Sequence, residues 1–256
     1  DRGIDDFRFV YMGKKGTWTP MHHDVLCSFS WSVNVCGLKR WILFPPSLSP
    51  CLYAEPPVRD DESEAERNVR AAEPFDGDEI DGYLHGELLS DIRRPATGSY
   101  PHWKRAYDSR IEVLQRSGEA IFVPSGWHHQ VHNLQPTISI NHNWFNAACL
   151  QRIWRFLKTE LMAVRREIAH LRQDMNRDEA WAWERQCEML MKANSGFNLE
   201  EFVALLRGKV AEIRQMLAID AADTARQLPH EVLRHGLSQV AAVFRDMARD
   251  EFAREC

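Results

Sequence analysis

No two of the six cysteines in this 256-residue chain stand as C-x-x-C; they are scattered at 27, 36, 51, 149, 187 and 256. That spacing is neither a zinc site nor a disulfide framework, and it fits reduced thiols in a cytoplasmic or nuclear protein. An excess of positive charge is also lacking. The formal net charge of -5 gives no electrostatic footprint for nucleic acid, and no direct nucleic-acid binding is expected. No apolar run approaches the length needed to cross a bilayer. No signal-peptide pattern is visible, and the chain opens at Asp1 rather than Met, so the expectation is a sequence that starts mid-protein. What is present suffices for a fold: 44% hydrophobic residues allow a sizeable core, in one large domain or one domain with an appendage.

Two textures divide the chain. Residues 1–146 read as β. Phe7–Met12, Trp18–Asp24, Phe29–Cys36, Lys39–Phe44, Ile111–Leu114, Ala120–Val123, Trp127–Asn133 and Thr137–Trp144 are short β-branched, aromatic or alternating runs. Turn residues such as Pro124-Ser125-Gly126 and Gln135-Pro136 separate them. Eight strands are the number that closes a small barrel or jelly roll. A hydrophilic insertion, about 55–94, carries 13 Asp/Glu against 5 Lys/Arg and reads as a solvated, partly disordered loop. A lid, or a contact for a basic partner, is its functional alternative. Residues 147–256 read as helical. Leu150, Ile153, Trp154, Leu157, Leu161, Val164, Ile168 and Leu171 step by three and four, drawing one apolar stripe. Asp178 is positioned to cap a second helix carrying Trp181 and Trp183, Asn198 with Glu201 a third, and a fourth runs from about His230. The Met and Trp residues of these helices are expected in a core. The fold class is therefore α+β, with a mainly β core followed by a helical region. Such an appendage packs on the barrel or builds a dimer interface.

Histidine carries the chemistry. Within Thr19-Pro20-Met21-His22-His23-Asp24, His22 and Asp24 are two apart, so on a strand an imidazole and a carboxylate converge on one face while His23 points away. H-x-D alone carries little weight. A third ligand from a distant strand would complete a 2-His-1-carboxylate triad, which leaves positions on an octahedral iron open. The strand Trp127-His128-His129-Gln130-Val131-His132-Asn133 offers candidates on both faces, His128 and His132 on one and His129 on the other. Strand parity leaves open which face looks inward. A zinc hydrolase is the competing metal reading; it prefers tetrahedral His-rich or Cys-containing ligation.

The stretch Gly118–His129 resembles the metal-binding strand of the JmjC oxygenases. In that pattern the residue two after the turn Trp127 is the ligand, which selects His129. H-x-D, a basic residue 17 positions on, and G-W-x-H form a specific ordered set, and residues 7–46 with 110–146 are similar to the JmjC double-stranded β-helix, a cupin-type jelly roll. The resemblance implies Fe(II) held by His22, Asp24 and His129, with 2-oxoglutarate as cosubstrate and O2 as oxidant. Alternation in Lys39-Arg40-Trp41-Ile42-Leu43 puts Lys39 on the face of Trp41 and Leu43, and a lysine pointing into a barrel needs a counter-anion. By resemblance, Lys39 pairs with the distal carboxylate of 2-oxoglutarate, and Thr19 hydrogen-bonds the same group. Asn141 stands twelve after His129, where relatives place a cosubstrate-binding Thr or Asn. Ser32 falls where many carry Asn, and Asn34 replaces that amide from two residues on. Asn143 is a fourth polar residue expected to line the pocket. Relatives also use a Tyr from before the barrel, with no equivalent identified in this sequence. Trp18, Trp31 and Trp127 are channel candidates or barrel packing, with packing preferred.

Ser28–Gly37, Val123–Leu134 and Thr137–Trp144 are most similar to the JmjC branch that hydroxylates a lysine of the eukaryotic class-1 translation release factor. The resemblance continues at Trp154–Leu157 and Ser195–Phe202. It implies a protein lysyl hydroxylase acting in translation termination, with that factor as partner, and by analogy homodimerisation through the C-terminal helices. Asp rather than Glu at position 24 fits hydroxylase-type members. An N-methyl-lysine demethylase of histones or other proteins, and a non-catalytic cupin-type interaction protein, are the alternatives.

Overall fold

The computed structural model describes residues 8–54, 87–94, 99–172, 177–218 and 229–249. The chain divides into two compact units, Asp1–Trp144 and Phe145–Cys256.

Among the described residues the first unit contains eight strands: β1 (Arg8–Gly13), β2 (Trp18–His22), β3 (Phe29–Cys36), β4 (Lys39–Phe44), β5 (Ile111–Gln115), β6 (Ala120–Val123), β7 (His128–Asn133) and β8 (Thr137–Trp144). They form two four-stranded sheets, ordered β1-β8-β3-β6 and β2-β7-β4-β5, with every pairing antiparallel. Consecutive strands alternate between the sheets except for β4 and β5, which pair within one sheet, and this is the jelly roll expected from the sequence. Val123 from one sheet packs with Trp41, Leu43 and Val131 from the other, closing the interior at that end.

The polarity of the first sheet is inverted relative to a simple sandwich. Ser30, Ser32 and Asn34 of β3, with Thr137, Ser139 and Asn143 of β8, are buried. The alternate positions turn outward, leaving Phe122, Ile138 and Ile140 exposed. A sheet that buries Ser and Asn instead of its aliphatic residues is lining a polar trough.

Two devices aim the strands at that trough. Gly37 turns β3 into β4 at φ +86, and a Cβ there would stand 2.0 Å from the Pro136 carbonyl oxygen. The turn fixes the register that buries Lys39. A bulge in β2 between Thr19 and His22 is the second. These residues are three apart, so regular alternation would send them to opposite faces.

Of the acidic insertion, 55–86 lie outside the described residues. Residues 87–94 depart from the solvated-loop expectation. Leu88 bridges Tyr53, and Leu89 and Ile92 are buried in a cluster with Met21, Ile42 and Phe44. Two apolar side chains in an otherwise polar stretch suffice to dock it. A short helix, α1 (Trp103–Asp108), follows.

The second unit holds α2 (Leu150–Glu167), α3 (Arg177–Ser195), α4 (Leu199–Ala218) and α5 (His230–Arg249). The predicted stripe is buried from Leu150 to Val164. The helix ends at Glu167, so Leu171 falls beyond it and is exposed. Trp183 is buried, but Trp181 is 63% exposed and is not core; two residues apart on a helix, they face different sides. Asn198 caps α4 by accepting the Glu201 N–H at 3.0 Å. The reciprocal half of that box is absent, because Glu201 pairs with Lys192 instead. Asp178 lies inside the first turn of α3 rather than before it. Arg165 bonds Glu184 at 2.6 Å between α2 and α3.

Two predictions follow from this architecture. Gly37→Ala forces a side chain into left-handed backbone, costing about 1–3 kcal/mol before any clash is counted; the melting temperature should fall, and an unchanged one would contradict the turn. Three histidines of β7 are buried. Burial leads in lowering each: His129 and His132 to about 4, His128 well below 6.5. The unfolded chain takes up these protons near 6.5 while the folded chain does not, so acid favours unfolding. Thermal stability of the metal-free protein should fall as pH drops from 6.5 towards 4, whereas a flat profile would contradict buried neutral imidazoles.

Candidate metal and anion site

His22 ends β2 and His129 lies directly opposite it on β7. Their rings are 4.3 Å apart. Asp24 is not on the strand, as the alternation argument had it. It stands just past β2, with extended backbone, at the start of a 3-10 turn, so its carboxylate still reaches the same side. One ligand atom each from His22, Asp24 and His129 lie within 4.8 Å of one another.

The hydrogen bonds fix how these groups present themselves. His22 Nδ1 is 2.8 Å from the Pro20 carbonyl and His129 Nδ1 is 3.1 Å from the Trp127 carbonyl. A carbonyl can only accept, so each Nδ1 carries the proton and each Nε2 keeps its lone pair. Both bonds run to the residue two earlier on the same segment. Burial, then the neighbouring His22, lowers His129 to about 4, which leaves it neutral and able to ligate. Asp24 Oδ2 accepts from Ser30 Oγ at 2.6 Å, orienting the carboxylate. Two imidazoles whose Nδ1 atoms are tied to carbonyls, and one carboxylate, on one side of a polar trough fit Fe(II) and leave its far side open.

The other histidines face away. His23 meets His128 edge-on at 5.2 Å, and His128 sits 2.9 Å from Ser49 Oγ and 3.1 Å from Tyr53 Oη. His132 stacks on Trp18 at 5.5 Å, with Arg93 over the Trp18 ring. Trp18 therefore faces outward, as does Trp31, which lies against His142. Trp127 packs on the Trp41, Leu43, Val123 and Val131 cluster. Packing accounts for all three tryptophans.

Sheet register lays the remaining site residues out in rows. Ser30 pairs with Asn143, Ser32 with Asn141, and Asn34 with Ser139. Across the trough, His129 pairs with Leu43, Val131 with Trp41, and Asn133 with Lys39. Four strand residues separate the His129 row from the Lys39 row, about 13 Å of backbone at roughly 3.3 Å per residue.

Lys39 is 6% exposed and donates to Ser139 Oγ at 2.5 Å. Among the described residues no carboxylate forms an ion pair with it. Burial alone lowers its pKa. A cation held this way is offset by a bound anion, which fits a dicarboxylate cosubstrate. Ser32 donates to Asn141 Oδ1 at 2.8 Å, so these two predicted contacts hold each other and present the Asn141 amide nitrogen. Asn34 is engaged elsewhere, its Nδ2 donating to the Gly37 and Gln115 carbonyls. Its Oδ1 is buried with no partner, and exchanging the two atoms would set oxygen against two carbonyls. Thr19 lies opposite Val131 in the Trp41 row and is exposed. Asn143 donates to Ser28 Oγ.

Several site residues escaped the sequence reading. Ser30 and Ser139 share the parity of Ser32 and Asn141, so alternation alone could have found them. Gln115, fully buried, accepts from Trp41 Nε1 at 2.8 Å and sets the indole 5.5 Å from the His129 ring. Tyr11 of β1 pairs with Ser139 and so shares the trough face. Burial, then Asp24, raises its phenol.

The family model described as a cupin-like domain matches residues 7–149. The chain is 42% identical over 222 residues to the human 2-oxoglutarate and iron-dependent oxygenase JMJD4, covering 86% of this chain and 45% of that protein. It is 39% identical over 206 residues to the Drosophila melanogaster JMJD4 homologue, covering 80% and 39%. It is also 39% identical over 197 residues to the arginine-specific demethylase JMJ20 of Arabidopsis thaliana, covering 77% and 35%. The chain thus spans less than half the length of each of these relatives. The resemblance carried by the H-x-D, Lys39 and G-W-x-H motifs is borne out, and the chain belongs to the cupin-like domain family.

Proposed function

We propose that this chain is an Fe(II)- and 2-oxoglutarate-dependent protein hydroxylase, and that its substrate is a lysine of the class-1 translation release factor. One observation carries the oxygenase reading: a metal-competent His22, Asp24 and His129 set shares a polar trough with a buried lysine that no carboxylate among the described residues pairs. Neither half needs the other in a zinc hydrolase or in a passive binding domain. The substrate rests on the likeness of Ser28–Gly37, Val123–Leu134 and Thr137–Trp144 to the release-factor branch, and on relatives named as 2-oxoglutarate and iron-dependent oxygenases.

Each residue has a task. His22, Asp24 and His129 hold the iron. The Pro20 and Trp127 carbonyls lock the imidazole tautomers, and Ser30 locks the carboxylate. Lys39 anchors the distal carboxylate of 2-oxoglutarate, with the Ser32–Asn141 pair along the trough and Thr19 at its exposed side. Trp41, Leu43, Val123 and Val131 keep water from the inner wall. Iron, when bound with 2-oxoglutarate and O2, supplies the oxidation: one oxygen atom enters a substrate C–H bond and the other leaves in succinate, with release of CO2. The chain needs no general acid or base for that exchange.

Demethylation is the second reading, favoured by the demethylase named among the relatives. It shares the oxidation, but the oxygen enters an N-methyl C–H bond and the resulting N-hydroxymethyl group breaks down, so that the methyl carbon leaves as formaldehyde and the amine is freed. Asp24 in place of Glu favours hydroxylation.

Incubation of the release factor with enzyme, Fe(II), 2-oxoglutarate and O2 should add one oxygen to a lysine by mass spectrometry, and His22→Ala should abolish it. Succinate formed without that gain would discard the substrate; formaldehyde from a methylated peptide would favour the second reading. His129→Ala should lower Fe(II) affinity at least a hundredfold. Ser30→Ala should lower it about tenfold, the usual cost of removing a group that orients a ligand. Unchanged metal affinity in His129→Ala would remove it from the ligand set.

A further inference from the structure

We propose that Ser139 is a second anchor for the cosubstrate, forming with Lys39 a two-donor cradle for its distal carboxylate. This rests on the reading of the trough as a 2-oxoglutarate site.

Ser139 is fully buried, at 0% exposure, in the middle of β8. It stands between Tyr11 on β1 and Asn34 on β3, on the trough face. Its oxygen accepts from Lys39 Nζ at 2.5 Å. A hydroxyl has one proton to give as well as lone pairs to receive. Since an ammonium has no lone pair, that proton must point away from Lys39, and no described residue accepts it. Buried hydroxyls that leave a donor unused are uncommon and costly. The neighbouring Asn34 Oδ1, a buried acceptor without a partner, does not take it.

The Ser139 O–H and the remaining Lys39 N–H groups are therefore two kinds of donor at one end of the trough. A carboxylate has two oxygens, and this pair offers each a separate donor. The lysine supplies charge. The serine supplies direction, because its position in the sheet is fixed by backbone pairing on both sides while a lysine chain is flexible. The hydroxyl thus positions the ammonium and touches the ligand itself. Asn34, the residue the sequence nominated in the same row, is occupied by Gly37 and Gln115; Ser139 performs the cosubstrate contact in that row.

The test compares two ligands on the 256-residue chain loaded with Mn(II), by calorimetry. One is 2-oxoglutarate. The other is 2-oxopentanoate, which keeps the chelating end and has a methyl group where the distal carboxylate stands. Ser139→Ala should weaken 2-oxoglutarate at least tenfold, as expected for losing a hydrogen bond to a charged group, and leave 2-oxopentanoate unchanged. Ser139→Cys, close in size and a weak donor, should show the same selective loss to a lesser degree and covers the case in which the alanine variant does not fold. An equal loss for both ligands, or no loss for 2-oxoglutarate, overturns the proposal while leaving the site intact. Failure of the unaltered chain to prefer 2-oxoglutarate overturns the cosubstrate reading itself, and Ser139 with it.

Discussion

An ammonium buried without a carboxylate partner among the described residues is the constraint on which the rest of this molecule turns. Lys39 lies inside a jelly roll, held to a serine hydroxyl, and burial pushes its pKa down. A protein core tolerates such a group only if it is neutralised, deprotonated or answered by a ligand. The first sheet is built for the last of these. On β3 and β8 its inner face is serine, threonine and asparagine, each tied to a neighbour or presented to the trough, and the aliphatic residues of those two strands are turned outward, while Val123 of β6 closes one end. The inverted sheet, the tight Gly37 turn and the buried lysine are parts of one arrangement that keeps an anion-binding space open beside a metal site.

The metal end depends on local backbone more than on strand geometry. A bulge puts His22 opposite His129, and Asp24 reaches in from a 3-10 turn whose next residues, Leu26 and Cys27, adopt positive φ of 54 and 49. Non-glycine residues there are strained by about 1–3 kcal/mol each. The strain is confined to the connection that must bring Ser30 under the Asp24 carboxylate within six residues. Carbonyl-locked tautomers on both histidines complete a donor set that is oriented before any ion arrives.

Strands, triad and lysine were legible in the sequence because each is written in alternation or in an ordered motif. The eight β runs appear within two residues of their predicted ends, the largest departure being β2, which stops at His22 rather than Asp24. Position relative to the family pattern pointed to Ser32 and Asn141, which the sheet register brings together on the trough face. What was not legible depends on three-dimensional closure. No glycine marks the Leu26–Cys27 kink. The docking of 87–94 rests on Leu89 and Ile92, two apolar side chains inside a stretch whose composition reads as solvated loop. Asn34 has the parity of a pocket residue, but carbonyls from Gly37 and Gln115 claim its amide, and no local pattern shows that. Trp181 reads as core by residue type, yet its helix presents it to solvent.

The most direct test of the account is the visible absorption of the Fe(II)-loaded chain under anaerobic conditions. Bidentate chelation of the iron by 2-oxoglutarate gives a metal-to-ligand charge-transfer band. That band should appear only when iron and 2-oxoglutarate are both present, vanish in Asp24→Ala, and require far more 2-oxoglutarate in Lys39→Ala. Iron binding without the band at saturating 2-oxoglutarate, or a band indifferent to Lys39, would contradict a trough that holds metal and dicarboxylate together.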